Sequence, residues 1–569
     1  MLCLNPYAMP VIKLPSTQWL RQYRKADFRY DLAAGLTVGV MIVPQGMAYA
    51  MLAGVPPIYG LYAAALPALA YVWMGTSGHL SIGPAAMTAM LTAVGVGAIA
   101  APQTEAHLAM VGMLTLSVGV IQFGLGALRL GFLVNFLSHP VIRGFTMAAA
   151  ILIGFSQVKH IFGVTIDVKT GLPGMIIEMV RQVPQMYAPA LGIGLAAIGL
   201  LIVLRRIHPG IPAALIAVIL GIGITWLLKL DKQGLPVAGE IPTGFPVFRL
   251  PELKLSDLAT LLPTAFAVAM VGFMESSAVA RIIQARHPDE YRLNSNRELM
   301  ALGLSNLVSA FMKSIPVSGG MSRSLVNEQA GARTRLSSVF STSLVLLALL
   351  VLAPLLYYLP NAVLAAIIIV AVASMLKMKD IRKLWQIDRK DFVMLAVTFT
   401  GTLLFGIGLG IAIGVFLSLA WIVFETSYPH HAELGRLPGT VNYRNVLRFP
   451  DAHREEGILI YRFDAPLYFA NANRFCDVLH EYIQRRTEPV KTIIIDMDGV
   501  NSIDSTALTT LSGLVDDLDK ENIRVYFSIV KGPVRDKLLR SGLTSRIGAD
   551  HFFDSNEEAV VRAKATNQR

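Results

Sequence analysis

The chain has 569 residues, 54% hydrophobic and only 15% charged, with a mean hydropathy of +0.56. A soluble protein would carry about a quarter charged residues, so composition excludes that class and indicates a polytopic membrane protein. The formal charge of +11 does not indicate nucleic-acid binding, because Lys and Arg fall between apolar segments and not on one soluble face.

Residues 1–30 form a polar segment without the apolar core of a signal peptide. Its basic stretch (Arg21, Arg24, Lys25, Arg29) suits a membrane surface on the cytoplasmic side. Apolar segments of about 20 residues, enough to cross the hydrocarbon core, then fill 31–427. Fourteen spans are expected, near 31–53, 56–75, 79–99, 107–128, 133–157, 187–204, 211–229, 259–281, 296–312, 314–329, 337–358, 361–376, 390–407 and 409–426. From a cytoplasmic N-terminus, this count puts the clusters Arg205–Arg206–His208, Arg281–Arg297, Arg333–Arg335 and Lys377–Lys390 inside, as positive-inside bias requires. The Pro- and Gly-rich stretch Leu230–Leu255 falls outside. Removing one span sends half of the clusters to the wrong side.

One stretch, Ser314–Val326 (S-I-P-V-S-G-G-M-S-R-S-L-V), does not read as an ordinary span. Irregular backbone survives at membrane depth only where protein buries it or a wet cavity adjoins it. An extended piece, Ser314–Val317, is expected to reach the bilayer middle, with a helix starting near Ser318–Gly320. That helix would point its free N–H groups, and Arg323 one turn in, at an anion. The other reading is a re-entrant loop in which Arg323 pairs with a carboxylate.

The chain also repeats weakly. Val40–Ala50 is interrupted by Pro44, and Val268–Ala278 by Gly272 at the same offset. Two spans on come His79–Met87 (H-L-S-I-G-P-A-A-M) and Lys313–Met321 (K-S-I-P-V-S-G-G-M). Seven spans separate the pairs, an odd number, so the halves are inverted; matching interrupted segments in two halves point to a transporter binding site.

After Ser427 the composition becomes soluble. Residues 428–450 read as a polar linker, 451–556 as an α/β domain and 557–569 as a flexible tail. Strands are expected at Gly457–Arg462, Thr492–Met497 and Arg524–Val530. Helices are expected at Ala472–Arg485, Ser505–Glu521 (N-capped by Asp504) and Val534–Ser541. Cys3 and Cys476 make no disulfide framework and no metal site, and both are expected reduced on the cytosolic side.

The motifs Q-G-M-A-Y-A (Gln45–Ala50), G-T-S-G-H-L-S-I-G-P-A-A (Gly75–Ala86) and P-V-S-G-G-M-S-R-S (Pro316–Ser324) together resemble the sulphate permease (SulP) family of anion transporters. The tail, with P-L-Y-F-A-N-A (Pro466–Ala472) and D-G-V-N-S-I-D-S-T-A (Asp498–Ala507), resembles that family's STAS domain. The resemblance implies a 7+7 inverted repeat of the uracil-transporter type, divided into core and gate, a homodimer, and elevator-like motion of the core. It places the anion between the N-termini of the third and tenth spans. Carried over by motif, the pocket residues are Gln45 and Tyr49, Ala85 and Ala86, Glu275, and Gly320, Met321, Ser322 and Arg323.

Each residue keeps more than one reading. Arg323 is an oxyanion fork or a structural partner of Glu275. Glu275, alone in an apolar span, is a proton-coupling group that competes with the anion for Arg323, a static ion pair, or a sodium ligand. Gln45 and Tyr49 are pocket donors or packing. Ser505 and Thr506 occupy the loop where STAS relatives carry a regulatory phosphate, although Asp504-Ser505-Thr506 also suffices as a helix cap, and Ala507 departs from the Gly common in relatives.

The expected activity is import of a small oxyanion, sulphate by proton symport, in the inner membrane with both termini cytoplasmic. Sodium-coupled bicarbonate or dicarboxylate transport is the alternative substrate reading. An anion channel, or a membrane-bound regulator binding a cytosolic partner through the STAS domain, are the alternatives of other classes. No nucleophile–base pair, phosphate-binding glycine loop or metal spacing is present, so neither enzymatic activity nor a cofactor is expected.

Overall fold

The computed structural model describes residues 23–132, 139–164, 172–207, 212–239, 248, 255–373, 376, 378–405 and 407–567. Cys3, Arg21, His208, Lys377, the opening of the fifth span at 133–138 and most of the outside stretch after 239 lie outside the described residues. The chain divides into two compact units, Met1–Ser418 and Leu419–Arg569.

In the first unit, helix forms within every apolar stretch, because a backbone in hydrocarbon must bond to itself. The helices are α1 (Phe28–Leu52), α2 (Pro57–Ala64), α3 (Leu66–Met74), α4 (Ala86–Gly97), α5 (Glu105–Ala127), α6 (His139–Phe162) and α7 (Leu172–Gln182). They continue with α8 (Ala188–Ile207), α9 (Ala213–Leu228), α10 (Leu255–Gln284), α11 (Ser295–Phe311), α12 (Met321–Gln329) and α13 (Leu336–Val351). The last are α14 (Asn361–Ala373), α15 (Met378–Ile387), α16 (Arg389–Phe405) and α17 (Ile407–Ser427). Helices α7 and α15 lie between the expected spans and were not foreseen. Pro44 and Gly272, expected to interrupt their spans, do not: α1 and α10 run through them. Pro44 removes one amide donor from α1 without ending it. Gly272 has a different use: a Cβ there would sit 3.3 Å from Thr88 and 3.5 Å from Ser318, so its absence lets α10 lie close against both interrupted segments.

Two packing groups result. Helices α1–α5 pack with α10–α13, whereas α6, α8, α14 and α16 pack among themselves, and α1 also meets α9 and α14. Helices α5 and α11 approach through small residues: a Cβ on Gly119 would lie 2.8 Å from the Leu307 amide nitrogen.

The segments expected as the third and tenth spans are broken, and their extended pieces pair. Strand β1 (Ile82–Pro84) and strand β2 (Val317–Gly319) run antiparallel, with Gly83 opposite Ser318. The Gly320 N–H extends the ladder to the Ser81 carbonyl at 3.1 Å. The backbone groups this ribbon leaves over are met by side chains. Asn306 of α11, fully buried, accepts from the Val317 N–H at 2.7 Å and donates to the Val317 carbonyl at 3.1 Å and to Gln122 Oε1 at 2.8 Å. Ser276 Oγ accepts from the Gly319 N–H at 2.7 Å. Thr115 Oγ1 donates to the Ser314 carbonyl at 2.8 Å, Ser309 Oγ to the Ile315 carbonyl at 2.7 Å, and Ser314 Oγ to the Tyr59 carbonyl. Ser324 Oγ accepts from the Ser81 N–H at 2.9 Å.

The second unit holds a sheet ordered β4-β3-β5-β6-β7-β8: β3 (His431–Arg436), β4 (Tyr443–Asn445), β5 (Ile458–Phe463), β6 (Thr492–Asp496), β7 (Arg524–Ser528) and β8 (Phe552–Phe553). Strands β5 to β8 are parallel, and β3 and β4 add an antiparallel edge. Helices α18 (Ala472–Gln484), α19 (Ser505–Lys520), α20 (Gly532–Arg540) and α21 (Asn556–Asn567) complete it. Two expectations are corrected here. The stretch 428–450 is not simply a linker, since β3 and β4 lie within it. The tail 557–569 is helical in α21 as far as Asn567. In both cases few apolar residues carry the element: Ala432, Leu434, Ala559, Val560 and Ala563 join one buried cluster with Ile458, Ile460 and Ile494. Burial pushes the Cys476 thiol up to about 11, so it stays a poor nucleophile at neutral pH.

Replacing Asn306 with Leu strands the Val317 N–H and carbonyl in the interior, at about 1–3 kcal/mol for each unsatisfied group. The expected result is a lower unfolding temperature of the purified protein and loss of transport; wild-type melting and uptake would show that the β2 backbone is held in another way.

Candidate functional site: two helix N-termini and Arg323

Helix α4 starts at Ala86 after the extended residue Ala85 (φ −134°, ψ 152°), and α12 starts at Met321 after Gly320 (φ −78°, ψ 122°). Neither start has a side-chain cap. The first-turn N–H groups of each helix have no carbonyl one turn back, and each helix brings roughly half a positive charge to its N-terminus. The ribbon places both starts just beyond one pair of strands. Ala85, Ala86 and Gly320 are buried, while Ser322 and Met321 (43% accessible) are exposed on the first turn of α12.

Arg323 is 2% accessible. Its Nη1 donates to the Pro84 carbonyl at 2.7 Å, which fastens α12 to the end of β1. Nε and Nη2 have no partner among the described residues. These two nitrogens form one edge of the guanidinium, the fork that binds an oxyanion through two parallel hydrogen bonds. The side chain turns back over its own N-cap: a Cβ on Gly320 would lie 2.6 Å from Arg323 Cζ. Only Gly leaves that space.

Glu275 lies on α10, half-buried, and Ser318 Oγ donates to its Oε2 at a long 3.4 Å. It forms no ion pair with Arg323 within 4 Å, although the two groups are close enough to interact electrostatically. Gln45 and Tyr49, one turn apart on α1, are both 7% accessible. Tyr49 lies within electrostatic reach of Arg323, and Gln45 Oε1 is buried without a partner among the described residues. Ala85, Ala86, Glu275, Tyr49 and Gly320–Arg323 therefore gather around the ribbon. Ser505 and Thr506 belong to the second unit, exposed on the first turn of α19. Asp504 caps that helix, Oδ1 accepting from the Ala507 N–H at 2.7 Å.

Sequence reading missed the supports of this site, namely Asn306, Ser276, Gln122 and the Pro84 carbonyl. Uncharged polar residues inside apolar spans were the available signal for the first three. The carbonyl had none, since any residue carries one.

A model of the Sulfate permease family matches residues 28–398, and one of the STAS domain matches 449–559. The chain is 36% identical over 564 residues to the chloroplastic Sulfate transporter 4.1 of Arabidopsis thaliana, covering 96% of this chain and 82% of that protein. It is 31% identical over 546 residues to a probable sulfate transporter of Mycobacterium tuberculosis, covering 96% and 97%. The solved structure of the murine Solute Carrier 26 family member A9 anion transporter, in its inward-facing state, matches with a TM-score of 0.90 at 28% identity, covering 96% of this chain and 93% of that one.

Gly320→Ala is expected to push the guanidinium off the Pro84 carbonyl and weaken apparent anion affinity. Loss of one charge-assisted hydrogen bond, about 1.5–3 kcal/mol, corresponds to roughly a 10- to 150-fold rise in KM. An unchanged KM would show that Arg323 does not depend on this position.

Proposed function

The chain belongs to the Sulfate permease family, and on that premise we infer that it imports sulphate together with a proton. The observation that carries this reading is the Nε/Nη2 edge of buried Arg323, which has no partner among the described residues and lies beside two helix N-termini. A doubly charged tetrahedral anion gains more from a fixed cation added to two helix dipoles than a singly charged one does. The names of the Arabidopsis and Mycobacterium relatives support the same substrate. Nothing at the site is arranged to make or break a covalent bond, and the work is binding and release.

Glu275 is the coupling group. Ionised, it competes with the anion for the charge of Arg323; protonated, it releases that charge to the substrate, so proton and anion move together. Gln45 and Tyr49 contribute neutral hydrogen bonds from α1. The α1–α5 and α10–α13 group carries the site as one body past the other group, in a homodimer with both termini in the cytoplasm. Regulation through Ser505 or Thr506 is a separate reading: a phosphate there would face the N-terminus of α19.

Radiolabelled sulphate uptake into proteoliposomes tests these roles. Arg323→Ala is expected to lower uptake at subsaturating sulphate at least about 10- to 150-fold, the value of one charge-assisted bond; undiminished uptake makes Arg323 structural. Glu275→Gln is expected to retain sulphate binding and to lose stimulation by an inward proton gradient, and retained stimulation removes Glu275 from coupling. Uptake of bicarbonate or a dicarboxylate that follows sodium and not protons would reassign both the substrate and the driving ion.

A further inference from the structure

The loop ahead of β1, the turn after α10 and the far end of α12 bring together side chains that the anion site does not use. The rings of His79 and His287 stack with centroids 4.6 Å apart. Glu290 sits beside one nitrogen of each, 3.9 Å from His79 Nε2 and 3.0 Å from His287 Nδ1. The outer nitrogens are occupied: His79 Nδ1 lies 3.3 Å from the Tyr291 hydroxyl, and His287 Nε2 lies 3.3 Å from Glu328 Oε1. Arg286 Nη1 donates to the other oxygen of Glu328 at 2.9 Å.

Tautomer arithmetic makes this cluster informative. A neutral imidazole has one N–H, yet His287 has a carboxylate at each nitrogen. Whichever nitrogen lacks the proton turns a lone pair towards an anion unless a cation sits there. With the His287 Nε2–H given to Glu328 and the His79 Nδ1–H given to the Tyr291 oxygen, both inner nitrogens carry lone pairs beside Glu290, and the His79 ring also has the Ala332 backbone within reach. Donor atoms of all three residues lie within 4.8 Å of one another. Two imidazoles and a carboxylate, with the outer ring nitrogens held by hydrogen bonds, are the donor set and the supporting shell of a zinc site.

We propose that His79, His287 and Glu290 bind a divalent cation of the zinc class, with Tyr291 and Glu328 orienting the rings. Sequence reading expected no metal, since His79 and His287 are far apart in the chain and no short-spaced donor motif contains them. Zinc–nitrogen bonds of about 2.0–2.1 Å require the donors to close on the ion. His79 (1% accessible) is the fixed anchor, whereas His287 (27%) and Glu290 (50%) can turn. Turning His287 also takes its ring out of the stack, so that the two in-plane lone pairs converge. The His79 carbonyl accepts from Asn327 Nδ2 of α12 at 2.9 Å. A bound ion therefore ties the approach to β1 to the end of α10 and, through Asn327, to α12. Because it binds the folded chain, it raises stability.

The test uses the purified full-length protein, freed of its affinity tag and stripped with chelator, and titrated with Zn2+. The expected result is one zinc per chain by elemental analysis and a saturable rise in unfolding temperature. His287→Ala and Glu290→Gln should each abolish both, while their metal-free unfolding and sulphate uptake match the metal-free wild type. No zinc-dependent rise in the wild type means that a proton alone satisfies His287, and it overturns the proposal. Undiminished zinc binding by both variants overturns it equally, by placing the ion elsewhere.

Discussion

A peptide group at the middle of a bilayer has no water to bond, and leaving it bare in hydrocarbon costs several kcal/mol. In this protein two apolar segments stop being helical, at Ile82–Pro84 and Val317–Gly319, which leaves two runs of backbone to be satisfied at once. Antiparallel pairing of β1 and β2 meets part of the demand. Asn306, Ser276, Thr115 and Ser309 meet more of it from neighbouring helices. The helix starts at Ala86 and Met321, just beyond the ribbon, have no side-chain cap. An anion is the ligand that such uncapped starts favour. The proposed anion site lies at these two starts, next to a ribbon whose backbone neighbouring side chains satisfy.

Charge at the site follows from the same geometry. Arg323 could have been neutralised by Glu275, and a tight buried pair would have left little attraction for a substrate. Instead one guanidinium nitrogen is tied to the Pro84 carbonyl, a neutral acceptor, and the carboxylate stands off beyond ion-pair distance. The tie fixes the orientation of the cation without cancelling its charge. Gly320 allows this by leaving room for the guanidinium to fold back across the start of α12.

The second unit is built on different terms. Its parallel strands are covered on one face by α18, α19 and α20, and on the other by α21, whose buried residues are few and small. There, Asp504 satisfies the start of α19 with its own carboxylate. Side chains cap helix starts of the membrane unit too, Thr104 at α5 and Asn294 at α11, but not the two starts beside the ribbon.

Much of this was legible from residue order. Composition and apolar run length determined a membrane protein with helix in each expected stretch, because the cost of bare backbone in lipid leaves no other choice. Pro316, Gly319 and Gly320 marked where the tenth span breaks, and the parallel between His79–Met87 and Lys313–Met321 marked its counterpart, since Pro and Gly act locally. Asp504 declared itself as a cap for the same reason. What the order of residues could not determine is anything that depends on distant segments meeting: the register of β1 on β2, the carbonyl that holds Arg323, the stand-off of Glu275, the meeting of His79 with His287, the recruitment of 431–445 into the sheet and the packing of 556–567 against it. Each of these is set by packing between parts of the chain remote in sequence. A single Asn, a backbone oxygen or three small apolar residues carry no local sign of the partner they will find.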